Sequence, residues 1–191
     1  DWSSDVCSSD LTETNAVLST GGTLTITDLD ATAATVVAQT ETAGTYGKFS
    51  IDADGVWSYT TNSALNSLNA NQVVTEVFNV ATSDGGSASV TINITGTNDA
   101  PLVTGSQTSL PSGLINTSYT VSAQDLLAGY GDPDGGVLSI LNLTAGQGAV
   151  VSGNGDGTYT IQPALNYGGW ITLHYSISDG QGAFAQALNS F

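Results

Sequence analysis

Apolar and polar residues alternate with a period of two along most of this chain. Leu24 and Ile26 stand among threonines, Val90, Ile92 and Ile94 alternate with Thr91, Asn93 and Thr95, and Ile171, Leu173, Tyr175 and Ile177 alternate with Thr172, His174 and Ser176. Successive side chains of a strand point to opposite faces, so each run predicts a strand with one dry and one wet side. No segment keeps the helical period over three turns; Ser63 to Asn71 and Ala123 to Ala128 each have room for a short helix. Short alternating runs separated by glycine-bearing turns predict an all-β chain of two sandwiches, each of roughly seven strands and about 100 residues.

The same phase arguments place the large aromatic residues. Trp57 and Tyr59 share one strand face and are candidates for the first core, where aromatic area is the largest single contribution available. Trp170 is out of phase with the Ile171 set, which puts it outside or at a sheet edge, and His174 falls on the same polar face. Trp170 reads as a boundary residue, with stacking on a sugar ring as the alternative. A lone imidazole without clustered partners reads as solvent-facing.

The turns between the runs repeat. Asp28-Leu29-Asp30 is echoed by Asp132-Pro133-Asp134, Asp54-Gly55 by Asp156-Gly157, Ala64-Leu65-Asn66 by Ala164-Leu165-Asn166, and Ser83-Asp84-Gly85 by Ser178-Asp179-Gly180. The separation shrinks from 104 residues for Asp30 and Asp134 to 95 for Asp84 and Asp179. A period near 100 residues with drifting offsets predicts homologous domains with different loop lengths rather than a solenoid. Thr97-Asn98-Asp99-Ala100-Pro101 lies between the two copies.

Charge narrows the function classes. Acids outnumber bases 17 to 1, for a formal net charge of −16, while only 9% of residues are charged and 40% are apolar. Disorder requires low hydrophobicity as well as net charge, so the apolar content argues for folded domains. Such a surface repels phosphate backbones and anionic lipid, which excludes nucleic acid and membrane surfaces as partners. No apolar run approaches the length of a membrane helix.

Residues 1–11, Asp1 to Leu11, look like a translated sequencing adapter and are set aside as non-native. On that reading the first domain is truncated at its N-terminus, with most of its first strand missing. Cys7 goes with the segment, leaving no thiol for disulfides, thiolate metal sites or cysteine catalysis. Without Asp1, Asp5 and Asp10, 14 acids still face Lys48 alone. Cations bound from outside would relieve that repulsion.

Several motifs in order carry a family resemblance. Gly22 to Asp30, Gly44-Thr45-Tyr46-Gly47, Asp54 to Tyr59 and Gly96 to Pro101 make the first domain resemble a VCBS repeat of large bacterial surface adhesins, many with RTX-type secretion. Ser122 to Tyr130, Asn154 to Tyr159 and Tyr175 to Gly180 make the second resemble the bacterial cadherin-like repeat. The resemblance implies two tandem Ig- or cadherin-like Greek-key β-sandwiches, a VCBS-like one over residues 12–97 and a cadherin-like one over 102–191, joined by a linker at 98–101. It also implies a calcium-binding rod segment, extracellular or on the bacterial cell surface, used in attachment or biofilm formation. The partners implied are neighbouring repeats of the same chain and a host or biofilm glycan or protein.

Calcium takes six to eight oxygens, from carboxylates, asparagine and backbone carbonyls. In a sandwich of this topology the turn before the third strand and the turn between the last two lie at one end. Asp132, Asp134 and Asp179 are then expected at the linker end of the second domain, with Asn98 and Asp99 approaching them. Pro133 fixes φ inside the Asp132-Pro133-Asp134 turn and helps its carboxylates converge. The cadherin pattern adds a glutamate low on the first strand of the preceding domain, which points to Glu13 as the last ligand of a junction site. Asp28, Asp30 and Asp84 form the equivalent but incomplete set of the first domain. Pro111-Ser112-Gly113-Leu114 stands where relatives place a glutamate and an aspartate, so a further site below the second domain lacks its ligand.

Other readings compete. Asp54-Gly55 and Asp156-Gly157 sit between alternating runs, where Asp-Gly is a hairpin signal. Asp84 and Asp179 are Ser-Asp-Gly turns as well as candidate ligands. Asp125 either caps a short helical turn or sits in a loop. No nucleophile elbow, phosphate loop, zinc-protease helix or dinucleotide fingerprint is present, so no catalytic residues are assigned. The EF-hand and the RTX nonapeptide are also absent from the sequence. A glycan- or protein-binding adhesion module and an accessory domain of a secreted hydrolase are the alternative functions.

Overall fold

The computed structural model describes residues 2–4, 7–28 and 34–191, and its backbone parts into two units between Thr97 and Asn98. In the first unit the strands are β1 (Trp2–Ser4), β2 (Cys7–Thr12), β3 (Ser19–Thr23), β4 (Ile26–Asp28), β5 (Gln39–Ala43), β6 (Gly47–Ile51), β7 (Val56–Thr61), β8 (Val73–Ala81) and β9 (Ser87–Thr95). A three-stranded sheet, β2-β9-β8, faces a four-stranded sheet, β3-β7-β6-β5, while β1 and β4 pair separately. All ladders of this unit are antiparallel except β2 with β9, where Cys7 aligns with Val90 and Thr12 with Thr95. A first strand parallel to the last closes the sandwich in the Greek-key manner.

The core follows from the alternation. Val80, Val90, Ile92 and Ile94 of one sheet and Phe49, Ile51, Trp57 and Tyr59 of the other are all buried. Phe49 stacks on Phe78 across the sheets with ring centroids 4.7 Å apart, and Tyr59 meets the same ring at 5.9 Å. Cys7 and Leu11 pack against this core. The place expected to be empty for want of a first strand is therefore filled by residues that the sequence reading set aside, because Cys7–Thr12 alternates in the phase a sheet edge requires.

The second unit contains β10 (Leu102–Val103), β11 (Tyr119–Ser122), α1 (Ala123–Leu127), β12 (Tyr130–Gly131), β13 (Ser139–Ala145), β14 (Val150–Gly153), β15 (Thr158–Gln162), β16 (Thr172–Ser178) and β17 (Phe184–Ser190). Sheets β13-β16-β17 and β11-β15-β14 enclose the core, with β10 and β12 forming a short ribbon. Leu173, Tyr175 and Ile177 face Val121 and Ile161 inside, and His174 is exposed on the other side of β16.

Of the two helices with room to form, one does. Ser122 caps α1 by accepting the Asp125 amide at 3.0 Å, and its hydroxyl donates to the Asp125 carboxylate at 2.6 Å. Asp125 is thus the partner of the cap, one turn inside the helix. Ser63 to Asn71 makes turns instead, with Leu68 driven into the core and its amide bonded to the Leu65 carbonyl at 2.9 Å. Asp54-Gly55 and Asp156-Gly157 lie in hairpin turns, with Gly55 and Gly157 at φ of 83° and 84°. Asp52 and Asp156 side chains accept the amides of those turns.

Candidate metal centre

Four of the six acids of the second unit lie at one end of it, in a unit with no lysine or arginine. The first two residues of the unit, Asn98 and Asp99, run past the loop after β12 and the turn between β16 and β17. In the loop, Pro133 holds φ while the Asp132 carboxylate accepts the Asp134 amide at 2.9 Å and the Asp132 carbonyl accepts the Gly135 amide at 3.0 Å. This turn takes the two aspartates out of the extended conformation that would have pointed them in parallel. Asp134 Oδ2 then accepts the Asp99 amide at 2.8 Å.

Asp179 joins from the other side. Its Oδ1 accepts the amides of Gln181, Gly182 and Ala183 at 2.7, 3.1 and 3.2 Å, and its Oδ2 accepts the Asn98 side-chain amide at 2.6 Å. Burial pushes the Asp179 carboxyl up, but the Asn98 amide and the three turn amides outweigh it and hold the group below the usual carboxylate range. Gly136 lets the two loops meet: a Cβ there would lie 2.4 Å from Asp132 Oδ2 and 3.3 Å from the Asp179 carbonyl.

Three oxygens of this set, Asn98 Oδ1, Asp132 Oδ2 and Asp134 Oδ1, are buried without a hydrogen-bond partner. Buried carboxylate oxygens are costly unless a donor or a cation meets them. Lys48, the sole lysine, belongs to the first unit and pairs with Glu41 at 3.2 Å. The donor set is therefore all oxygen, anionic and short of positive charge, which fits a hard divalent cation such as calcium. Among the described residues no group of three or more acidic, histidine or cysteine side chains converges as a metal cluster. The acids meet through amides instead, and one Asp179 oxygen is spent on its own turn.

Of the candidates in the first unit, Glu13, Asp28 and Asp84 lie among the described residues. Glu13 is buried, with Oε2 accepting the Thr97 amide at 3.2 Å and the Thr97 hydroxyl at 2.8 Å, and Oε1 without a hydrogen-bond partner. Asp84 accepts the Thr82 hydroxyl and the Gly86 amide within its turn. The Asp28 backbone pairs with Trp2 in β1, and Asp30 lies outside the described residues.

Sequence reasoning missed two features. Gly136 carries no motif of its own, and only the close approach of Asp132 reveals its part. Glu76 is a buried acid on β8 whose Oε2 accepts the Tyr59 hydroxyl at 2.5 Å and whose Oε1 accepts the Tyr46 amide at 3.0 Å. Its signal was legible: it sits in phase with Phe78 and Val80, an acid at an inward position.

Comparison with known proteins agrees with this architecture. The bacterial cadherin-like domain family matches residues 4–96, and the cadherin-like domain family matches residues 97–191. No curated protein matches the chain. Among solved structures, the protocadherin gamma B4 extracellular domain is similar over 99% of this chain and 31% of its own, at 13% identity and a TM-score of 0.51. Protocadherin gamma B2 cadherin domains 3-6 are similar over 100% of this chain and 46% of theirs, at 13% identity and a TM-score of 0.49. An endo-fucoidan hydrolase of glycoside hydrolase family 107 is similar over 100% of this chain and 33% of its own, at 15% identity and a TM-score of 0.32. The chain thus spans about a third of the length of the first and last of these structures. At 13% identity the likeness to protocadherin gamma B4 speaks for the fold alone, and the two family matches make the chain a tandem of a bacterial cadherin-like domain and a cadherin-like domain.

Proposed function

We propose that this tandem is a non-catalytic, calcium-stabilised adhesive segment of a bacterial cell-surface or secreted protein, of the kind in which VCBS-type and cadherin-like repeats alternate. The observation that carries the calcium reading is the trio of buried, unpartnered oxygens on Asn98, Asp132 and Asp134 in a domain without lysine or arginine. Asn98, Asp99, Asp132, Asp134 and Asp179 would hold the ion. Calcium would supply charge neutralisation there, tying the first residues of the second domain to its loops and so limiting the freedom of the linker. Extracellular modules bind calcium at about 10⁻⁴ to 10⁻³ M, which matches occupancy outside a cell and release by chelator.

Thermal unfolding in calcium and in EDTA tests this. A ligand that binds only the folded state stabilises it by an amount set by its concentration over Kd, about 2.7 kcal/mol at a hundredfold excess. One of two transitions should move up with calcium and stay unmoved with the same concentration of magnesium, whose octahedral shell such a set does not match. Identical melting in calcium and EDTA would rule the reading out. Small-angle scattering should also report a narrower range of particle dimensions with calcium than with EDTA.

A further inference from the structure

In the second domain, loops 112–117 and 163–171 enclose a cleft of about 200 Å³. Trp170, Leu114 and Ile115 on it are 71%, 74% and 58% exposed. Single exposed apolar residues are ordinary, but three at one cleft are a feature to be explained. The first domain offers an internal comparison. Its copy of the Ala-Leu-Asn turn, Ala64 to Asn66, packs Leu65 against the core, and Leu68 beyond it is buried. The second domain turns the equivalent Leu165 outward and follows it with Tyr167-Gly168-Gly169-Trp170.

The cleft is built rather than loose. Asn116 and Asn166 clasp the two loops, the Asn166 amide donating to Asn116 Oδ1 at 2.6 Å and Asn116 Nδ2 to Asn166 Oδ1 at 3.1 Å. The Tyr167 hydroxyl donates to the Trp170 carbonyl at 3.0 Å and fixes the segment that carries the indole. Gly168 and Gly169 lie at close approach to neighbouring side chains: added Cβ atoms would lie 3.1 Å from Ile115 Cδ1 and 2.7 Å from the Tyr167 hydroxyl. The wall between tyrosine and tryptophan is therefore bare peptide, an apolar ring beside unsheathed amides and carbonyls.

We infer that this cleft binds a neutral saccharide, with a pyranose ring stacked on the Trp170 indole and its hydroxyls meeting the Gly168 and Gly169 peptides and the Ser112 hydroxyl. The occupant must be amphipathic to use both the indole and the peptide wall. It must be small, because the cleft is below the ~300–1,000 Å³ of pockets that engulf a ligand. It must be uncharged, because no charged side chain lines the cleft and a domain with six acids and no lysine or arginine repels anions. β-Linked gluco- and xylo-configured sugars present the flat C–H faces that an indole takes. The inference stands independently of calcium.

The test is a ¹⁵N–¹H NMR titration of the whole chain with cellohexaose, xylohexaose and maltohexaose, the Trp170 indole signal being assigned by its loss in Trp170→Phe. The indole and the Gly168 and Gly169 amides should shift and saturate with at least one of these sugars, while the Asp132 and Asp134 amides stay in place. Trp170→Ala, at an exposed position, should keep a dispersed spectrum and bind at least about tenfold more weakly, the loss of a stacking contact worth about 1.4 kcal/mol. No shift with any of the three at about 10 mM, a concentration that detects even millimolar affinity, would overturn the inference. So would a response to dextran sulfate alone, or sedimentation showing that Trp170→Ala turns a dimer into a monomer.

Discussion

Single residues decide how the two cores tolerate polarity. Glu76 lies inside the first sandwich with no lysine or arginine beside it, and the Tyr59 hydroxyl and Tyr46 amide are what its carboxylate meets. The same pairing, after burial itself, pushes the Tyr59 phenol far up. Tyr59→Phe removes the hydroxyl and is expected to destabilise the first domain by about 1.5–3 kcal/mol, the worth of a hydrogen bond to a charged group; urea unfolding would measure it. Tyr175 is the counterpart in the second core, its hydroxyl donating to the Leu126 carbonyl at 2.9 Å. Burial, and then the neighbouring Tyr130, raise its phenol to about 12, against about 10 in an unfolded chain. Below pH 10 both states keep the proton and the contribution is whole; between about 10 and 12 only the unfolded state ionises, so stability falls as pH rises. Stability of the second domain measured against pH should decline over that window, and the decline should shrink in Tyr175→Phe. Neither polar core contact was legible in the alternation, which records whether a position faces inward and not what its polar atom meets there.

At the scale of elements, period-two runs became strands and Asp-Gly pairs became hairpins because both signals are local: a pleat and a left-handed turn each need only a few residues. The segment from Ser63 to Asn71 shows where locality fails. Its residues permit a helix, but Leu68 gains more by entering the core than a short helix would return. The acidic loops lie between these cases. The fold that places Asp132, Asp134 and Asp179 at one end was readable from topology. The amides that occupy Asp179 Oδ1, and Gly136 between the loops, were not, since they depend on how two separate turns approach. Gly136→Ala should therefore leave the sandwich folded while weakening calcium binding about tenfold or more, by about 1.4 kcal/mol at least. Calorimetric titration of the variant would show it, and unaltered affinity would mean that the approach of Asp132 to the Asp179 turn is irrelevant to the ion.

For the whole molecule the governing fact is a net charge of −16, with Lys48 the only lysine or arginine. Folding brings four aspartates of the second domain to the end where its chain begins, where amides meet part of the charge and leave Asp132 Oδ2 and Asp134 Oδ1 buried without a donor. The repeat of acidic turns pointed to that end. In the first domain the Asp84 carboxylate likewise accepts the Thr82 hydroxyl and the Gly86 amide of its own turn. The measurement that tests the account most directly is isothermal calorimetry of calcium into the intact chain and into Asp132→Asn/Asp134→Asn, which keeps size and hydrogen-bonding shape while removing two charges. Saturable binding to the intact chain in the range of about 10⁻⁴ to 10⁻³ M and its loss in the variant are expected if calcium joins these aspartates. Equal binding by both, or no binding by either, would contradict it.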